Sequence, residues 1–213
     1  GTMSKQGSRT SDSLQSHYEK GVFVSYAWGG ESERTVDELE RTFVERSIRI
    51  VRDKKDLGYK DSIEVFERRI AQGQCVILVI SDKYLRSEHC MYELLAADEK
   101  RGLRERIFPI VLADAHIYKA MDRLKYIRYW DAQIKKLDQA IRDRDEVMTD
   151  LDSIMADLKK YKRIRDSFDR LIDLLSDMNA LTPETHKQGD YVILVDAVER
   201  RLLDYPGDVA PPR

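Results

Sequence analysis

One acidic residue of this 213-residue chain is a candidate for chemistry. Glu93 lies in a stretch that predicts a helix over residues 88–101. His89 lies four residues earlier, on the same helix face, and we expect that face to line a pocket. The apolar residues of the opposite face should pack on a sheet: Cys90, Leu94 and Ala97. A carboxylate in such a pocket could stabilise positive charge that develops in a transition state.

Polar and aromatic side chains at the ends of the predicted strands are candidates to bind a ligand with Glu93. They are Ser25, Tyr26, Trp28, Asp53, Tyr59 and Ser81. Open parallel sheets bind ligands at the carboxyl ends of their strands, which is where these residues lie. Two of them have a structural alternative: Ser81 suits a helix cap, and Asp53 suits a residue that fixes its own loop through backbone hydrogen bonds.

Apolar patterns predict the elements that position these residues. Strands are predicted at 22–26, 48–51, 75–80 and 107–112, with a further candidate at 126–130, and helices at 31–46, 62–70 and 88–101. The run from Cys75 to Ile80 is apolar on both faces, as in a central strand covered by helices on both sides. This alternation predicts right-handed crossovers and a doubly wound parallel α/β sheet of the flavodoxin-like type.

Residues 131–178 contain no Gly or Pro and break this alternation. Their apolar side chains recur at spacings of three and four residues. A single helix of this length would extend about 70 Å at about 1.5 Å per residue, and residues 149–152 carry a cap signal midway. We therefore expect a helical hairpin, packed on itself or on the domain, with a dimerising coiled coil as the alternative.

The same patterns divide the chain into five parts. They are a flexible leader at 1–20, an α/β domain at 21–130, a helical insertion at 131–182, a final helix at 183–205 and a loose tail at 206–213. The amphipathic stretch 191–203 is expected to return to the sheet as that final helix.

Composition disfavours several classes of protein. Lys and Arg number 37 against 39 Asp and Glu, so there is no basic surplus for nucleic acid. Two cysteines and four histidines match no zinc spacing and indicate a reducing cytoplasm. The longest apolar run, 76–80, is too short to span a membrane. Glycine-rich dinucleotide and P-loop motifs are missing, as is the acidic pair that a receiver domain needs after its first strand. We expect a cytoplasmic protein without a metal.

Several segments together resemble the bacterial type of Toll/interleukin-1 receptor (TIR) domain. The strand 22–26 is similar to the first conserved box of the family, and the loop 53–58 to its long loop before the second helix. The segment 75–95 resembles its third strand and following helix. The match runs in order from Val22 to Leu112. The helical insertion is not part of the family pattern, so the resemblance implies that the final family helix is displaced to 191–203.

The resemblance implies two alternative functions. Many TIR domains hydrolyse or cyclise NAD⁺ with the glutamate that Glu93 matches, and others are non-catalytic scaffolds that associate with further TIR domains in immune or stress signalling. Nicotinamide leaves a cationic ring as a neutral molecule, so paired carboxyls are not required. Glu93 would hold the ribose hydroxyls and stabilise the oxocarbenium-like charge, while Tyr26, Trp28 or Tyr59 would stack on a ring. NAD⁺ is then the substrate, with no cofactor.

This chain departs from the family pattern at His89, where many NAD⁺-cleaving members have tryptophan. An imidazole stacks with less area, and when protonated it would repel the cationic nicotinamide. His89 is therefore either a pocket residue or a tolerated residue of the helix surface. We also expect the loop 53–61 to complete the site of a neighbouring copy. Glu93→Ala should abolish NAD⁺ loss and leave the fold intact, since we expect no core contact to depend on the carboxylate.

Overall fold

A computed structural model describes residues 21–52, 64–69, 74–99, 104–143, 151–178, 189 and 191–204. The predicted leader, the predicted tail and the loop that carries Asp53 and Tyr59 lie outside these ranges.

Four parallel strands form the sheet of the described part of the chain. They are β1 (Val22–Tyr26), β2 (Ile50–Arg52), β3 (Val76–Ile80) and β4 (Ile107–Val111), in the order β2-β1-β3-β4. Every residue of β1 and β3 is buried, as the apolar run of β3 predicts. The chain order reverses between β1 and β3, which makes their carboxyl ends the topological switch point. The predicted doubly wound sheet is confirmed.

Helices cover both faces of this sheet. In chain order they are α1 (Gly30–Glu45), α2 (residues 64–69), α3 (Asp82–Leu85), α4 (Glu88–Glu99), α5 (Ala120–Arg142), α6 (Leu151–Asp177) and α7 (Val192–Asp204), with a 3₁₀ turn at Arg104–Arg106. None of the described helices is long and apolar enough to cross a membrane.

The two faces carry separate apolar clusters because side chains alternate along each strand. On one face, Val22 and Val24 pack with residues of α1 and α7, such as Phe43 and Val198. On the other face, Phe23 packs with residues of α2 to α6. The final helix therefore returns to the sheet, as the sequence predicts.

The helices α5 and α6 form an antiparallel hairpin. Tyr126 of α5 stacks on Phe168 of α6 at 5.7 Å between ring centroids, and Trp130, one turn later in α5, meets the earlier Tyr161 at 5.4 Å. The hairpin packs on the domain through contacts between α6 and α4, so the prediction of a domain-packed hairpin is confirmed.

The candidate strand at 126–130 is wrong, because these residues lie inside α5. Aromatic and β-branched side chains favour a strand locally, but Tyr126 and Trp130 are four residues apart and both are buried against the same cluster. Burial of that helical face decides the conformation. The expected domain boundary at residue 130 consequently lies in the middle of α5.

Candidate functional site

Helix α4 begins at a capped turn and is buried along most of its length. The Ser87 hydroxyl accepts a hydrogen bond from the backbone N–H of Cys90 at 3.2 Å, which satisfies one of the free donors of the first turn. Its buried residues include those expected to pack on the sheet: Cys90, Leu94 and Ala97. Because α4 lies between the sheet and α6, its orientation depends on both.

Glu93 and His89 form a close pair on α4. The Nε2 atom of His89 lies 2.9 Å from Oε1 of Glu93, as their four-residue spacing predicts. The Glu93 side chain is 0% exposed, whereas that of His89 is 22% exposed. Burial of a carboxylate is costly unless a partner compensates, and His89 supplies one. The expectation that no core contact depends on this carboxylate is therefore wrong.

A second group of polar side chains lies on the same sheet face as α4. The hydroxyls of Ser25 and Tyr84 share a buried hydrogen bond of 2.9 Å. The Ser81 hydroxyl caps α3 by accepting from the backbone N–H of Tyr84 at 3.0 Å. Tyr84 thus contacts both Ser25 and Ser81. Ser81 makes the helix-capping hydrogen bond that was the structural alternative for this residue. Sequence reasoning missed Tyr84, although its position three residues after a capping serine was a signal.

Trp28 lies in the loop that follows β1 at the switch point. Its backbone carbonyl accepts a hydrogen bond of 2.7 Å from Lys83 Nζ, which ties this loop to α3 after β3. Gly29 and Gly30 have φ angles of 87° and 61°, so the chain turns in a conformation that side chains disfavour. The Trp28 side chain remains exposed at this edge and offers a ring for stacking.

Tyr26 lies on the opposite face of the sheet from Ser25 and Glu93. Adjacent strand residues point to opposite faces, and Tyr26 belongs to the cluster of α1 and α7. Its hydroxyl oxygen accepts a hydrogen bond from Arg52, and burial, followed by the charge of Glu33, raises the pKa of Tyr26. The structure therefore does not bring Tyr26 to Glu93. Asp53 and Tyr59 lie outside the described residues.

No metal centre is found in the part of the chain that the structure describes, and the thiol of Cys75 is a poor candidate for chemistry. It contains no group of three or more His, Cys, Asp or Glu residues that could hold a metal ion. Cys75 is fully buried, and burial raises the pKa of its thiol to about 11. A thiol that stays protonated at neutral pH is a poor nucleophile. The chemistry available at the site is that of Glu93 and its neighbours.

Two comparisons with known proteins gave matches. The family model described as "TIR domain" matches residues 22–144, more than half of the chain. A solved structure of TIR domains, from the activated Roq1 resistosome directly recognizing the pathogen effector XopQ, is similar with a TM-score of 0.45 and 15% sequence identity. That similarity covers 85% of this chain and 98% of the other. No curated protein gives a significant match.

Proposed function

Because this chain belongs to the TIR domain family, we propose that it cleaves the bond between nicotinamide and ribose in NAD⁺, with Glu93 as the catalytic residue. The reaction is hydrolysis or cyclisation, in both cases with release of nicotinamide. Activity follows self-association of the domain in immune or stress signalling.

The observation that carries the proposal is the placement of a single carboxylate. Glu93 is fully buried on α4, the second helix after β3, and β3 is one of the two strands at the switch point. Away from water, a carboxylate interacts more strongly with a nearby positive charge than it does at the surface. Such a group suits a reaction whose transition state gains positive charge on the ribose.

The proposed reaction needs no acid at the leaving group. As the bond from the ribose carbon to the pyridinium nitrogen breaks, its electron pair stays on nitrogen and nicotinamide leaves neutral. The carboxylate of Glu93 stabilises the oxocarbenium-like ribose. Water then adds to that carbon and loses a proton, or a nitrogen of the adenine adds instead and closes a ring.

His89 controls access to Glu93 in this proposal. It is the more exposed member of the pair, and its Nε2 occupies the position beside Oε1 where a ribose hydroxyl would bind. Substrate must therefore displace the imidazole. We therefore expect His89→Ala to lower KM for NAD⁺ in steady-state kinetics, and an unchanged or higher KM contradicts this role of His89.

The second candidate function is that of a non-catalytic TIR scaffold. The complete burial of Glu93 beside His89 favours it, because a buried carboxylate next to a histidine of the same helix also serves as a purely structural link inside α4. A scaffold would self-associate without consuming nucleotide.

Incubation of the purified chain with NAD⁺, with products identified by mass spectrometry, separates these functions. Glu93→Gln is the test variant, because glutamine retains the volume and one acceptor oxygen in this buried position, whereas alanine would leave a cavity. We expect NAD⁺ loss to stop while the thermal unfolding midpoint stays near that of the parent chain. Full NAD⁺ consumption by Glu93→Gln contradicts the proposal, and an inert parent chain that still self-associates by light scattering supports the scaffold.

A further inference from the structure

The turn between α3 and α4 is held by the hairpin through three hydrogen bonds. Trp130 Nε1 donates to the carbonyl of Leu85 at 3.0 Å, and the Tyr129 hydroxyl donates to the carbonyl of Arg86 at 3.2 Å. The Tyr161 hydroxyl donates to Oε2 of Glu88 at 3.0 Å. Both hairpin helices therefore contact a segment of four consecutive residues, 85–88, immediately before His89.

The Arg86 side chain strengthens this attachment. Its guanidinium carbon lies 5.1 Å from the ring centroid of Tyr126 and 5.1 Å from that of Tyr129, where cation–π attraction is favourable. Its Nε donates a hydrogen bond of 3.2 Å to the carboxylate of Asp82. The same carboxylate accepts a hydrogen bond of 2.7 Å from the Tyr126 hydroxyl. Asp82, Leu85 and Arg86 are thus all held by side chains of α5.

Helix α6 is linked to the turn directly by the Tyr161 hydroxyl and indirectly by aromatic packing of Tyr161 on Trp130. The rings of Trp130 and Tyr161 meet edge to face at 5.4 Å, and Trp130 is almost completely buried. Burial, followed by the charge of Glu88, raises the pKa of Tyr161. Its hydroxyl therefore remains a donor at every physiological pH.

We propose that the hairpin positions the catalytic helix, with Tyr161 and Trp130 as positioning residues that act on His89 and Glu93 through the turn 85–88. Helix α4 starts at this turn, and Glu93 follows within its second turn. A shift at Leu85 or Glu88 therefore rotates or translates the carboxylate. The kinetic consequence rests on the proposed function, whereas the structural consequence does not.

Tyr161→Phe is the test variant, because it removes the hydroxyl and retains the ring that packs on Trp130. Displacement of a catalytic group by a fraction of an ångström lowers turnover more than binding, so we expect kcat to fall about tenfold and KM for NAD⁺ to stay within about twofold of the parent value. Glu88→Ala should reproduce the loss and Glu88→Gln, which keeps an acceptor, should largely avoid it. The double variant Tyr161→Phe/Glu88→Ala should lose no more than either single variant.

The control is Arg165→Gln. It breaks the 3.0 Å bond from Arg165 to Asp131, which joins the two hairpin helices without touching the turn. The second readout is the ¹H–¹³C NMR signal of the His89 ring, which reports on the Glu93 carboxylate beside it and requires no activity. The signal is assigned by its disappearance in His89→Asn.

The outcomes separate the two proposals. A displaced His89 signal in Tyr161→Phe and Glu88→Ala, but not in Arg165→Gln, supports positioning. A signal that is unchanged in all three variants overturns it, whatever the turnover. If the parent chain leaves NAD⁺ intact, the proposed function fails, and the His89 signal alone decides the positioning role.

Discussion

The two faces of the sheet are covered in different ways. On one face α1 and α7 form a single layer. The ion pairs between these two helices, which join Arg46 to Asp196 and Glu199, lie at the surface. On the other face α4 is covered in turn by α6, so there are two helical layers. The outer hairpin and the helices beneath it also share buried polar contacts, such as that from Trp130 of α5 to Leu85 of α3.

This difference explains where a candidate site can form. A buried hydrogen bond is costly to break, because the separated donor and acceptor lose their partner and have no water to replace it. Side chains held by such bonds keep a defined geometry. Ser25, Tyr84, Glu93 and His89 all lie on the double-layered face, whereas the single-layered face offers an apolar interior and a charged rim.

The largest expected effect comes from a matched pair of core truncations. Phe168→Ala on the double-layered face and Phe43→Ala on the single-layered face each remove a fully buried ring and should each lower the free energy of unfolding by about 3–5 kcal/mol. Only Phe168→Ala should also displace the His89 ring signal, since Phe168 packs in the hairpin. Urea denaturation and NMR check both statements. Equal displacement by Phe43→Ala would contradict the distinction between the faces.

The next effect is a loss of stability at alkaline pH. Burial, and then the hydrogen bond to Asp82, raise the pKa of Tyr126. The native state therefore keeps a proton that the unfolded chain releases above about pH 10, so stability is complete below that pH and falls as pH rises. Tyr126→Phe should make this fall shallower, by up to about 1.4 kcal/mol per pH unit.

Denaturation curves measured on both sides of that pH test this prediction. The pKa of Tyr161, on the same face, is also raised by burial, and so is that of Tyr26 on the other face. Tyr26→Phe is the matched comparison for the single-layered face. An unaltered pH dependence in Tyr126→Phe would show that its proton is not retained on folding.

The smallest effect is expected for Arg46→Ala. Arg46 pairs with Asp196 and Glu199 of α7, but its side chain and both partners are largely exposed, and such pairs stabilise little because water and salt screen them. The thermal unfolding midpoint should remain within experimental error of the parent value, and NAD⁺ consumption should be unchanged. A large loss of stability would mean that the rim of the single-layered face contributes as much as buried contacts do.

Much of the architecture is predictable from local patterns. The unbroken apolar run at 75–80 predicts a central strand, and residues 76–80 form one. The spacing of Val36, Leu39 and Phe43 predicts the helix that became α1. The prediction fails at 126–130, because strand-favouring side chains there obey helical spacing and are buried by α6, a segment distant in sequence.

The candidate site is predictable only in part. The four-residue spacing of His89 and Glu93 correctly places them side by side. Tyr26 was expected near them, but strand alternation directs it to the other face. Tyr84 was missed although it stands three residues after a capping serine. Glu88 and Tyr161 were missed because nothing in their local sequence distinguishes a structural glutamate or tyrosine from one that holds a neighbouring element.

The sequence by itself determined most of the strands and helices and the placement of His89 beside Glu93, since both depend on residue type and short-range spacing. The tertiary structure decided that Glu93 is fully buried and that the hairpin holds the start of its helix. Those properties arise from contacts such as that between Glu88 and Tyr161, which are 73 residues apart. Periodicity extends only along one element, whereas burial depends on every element packed around it.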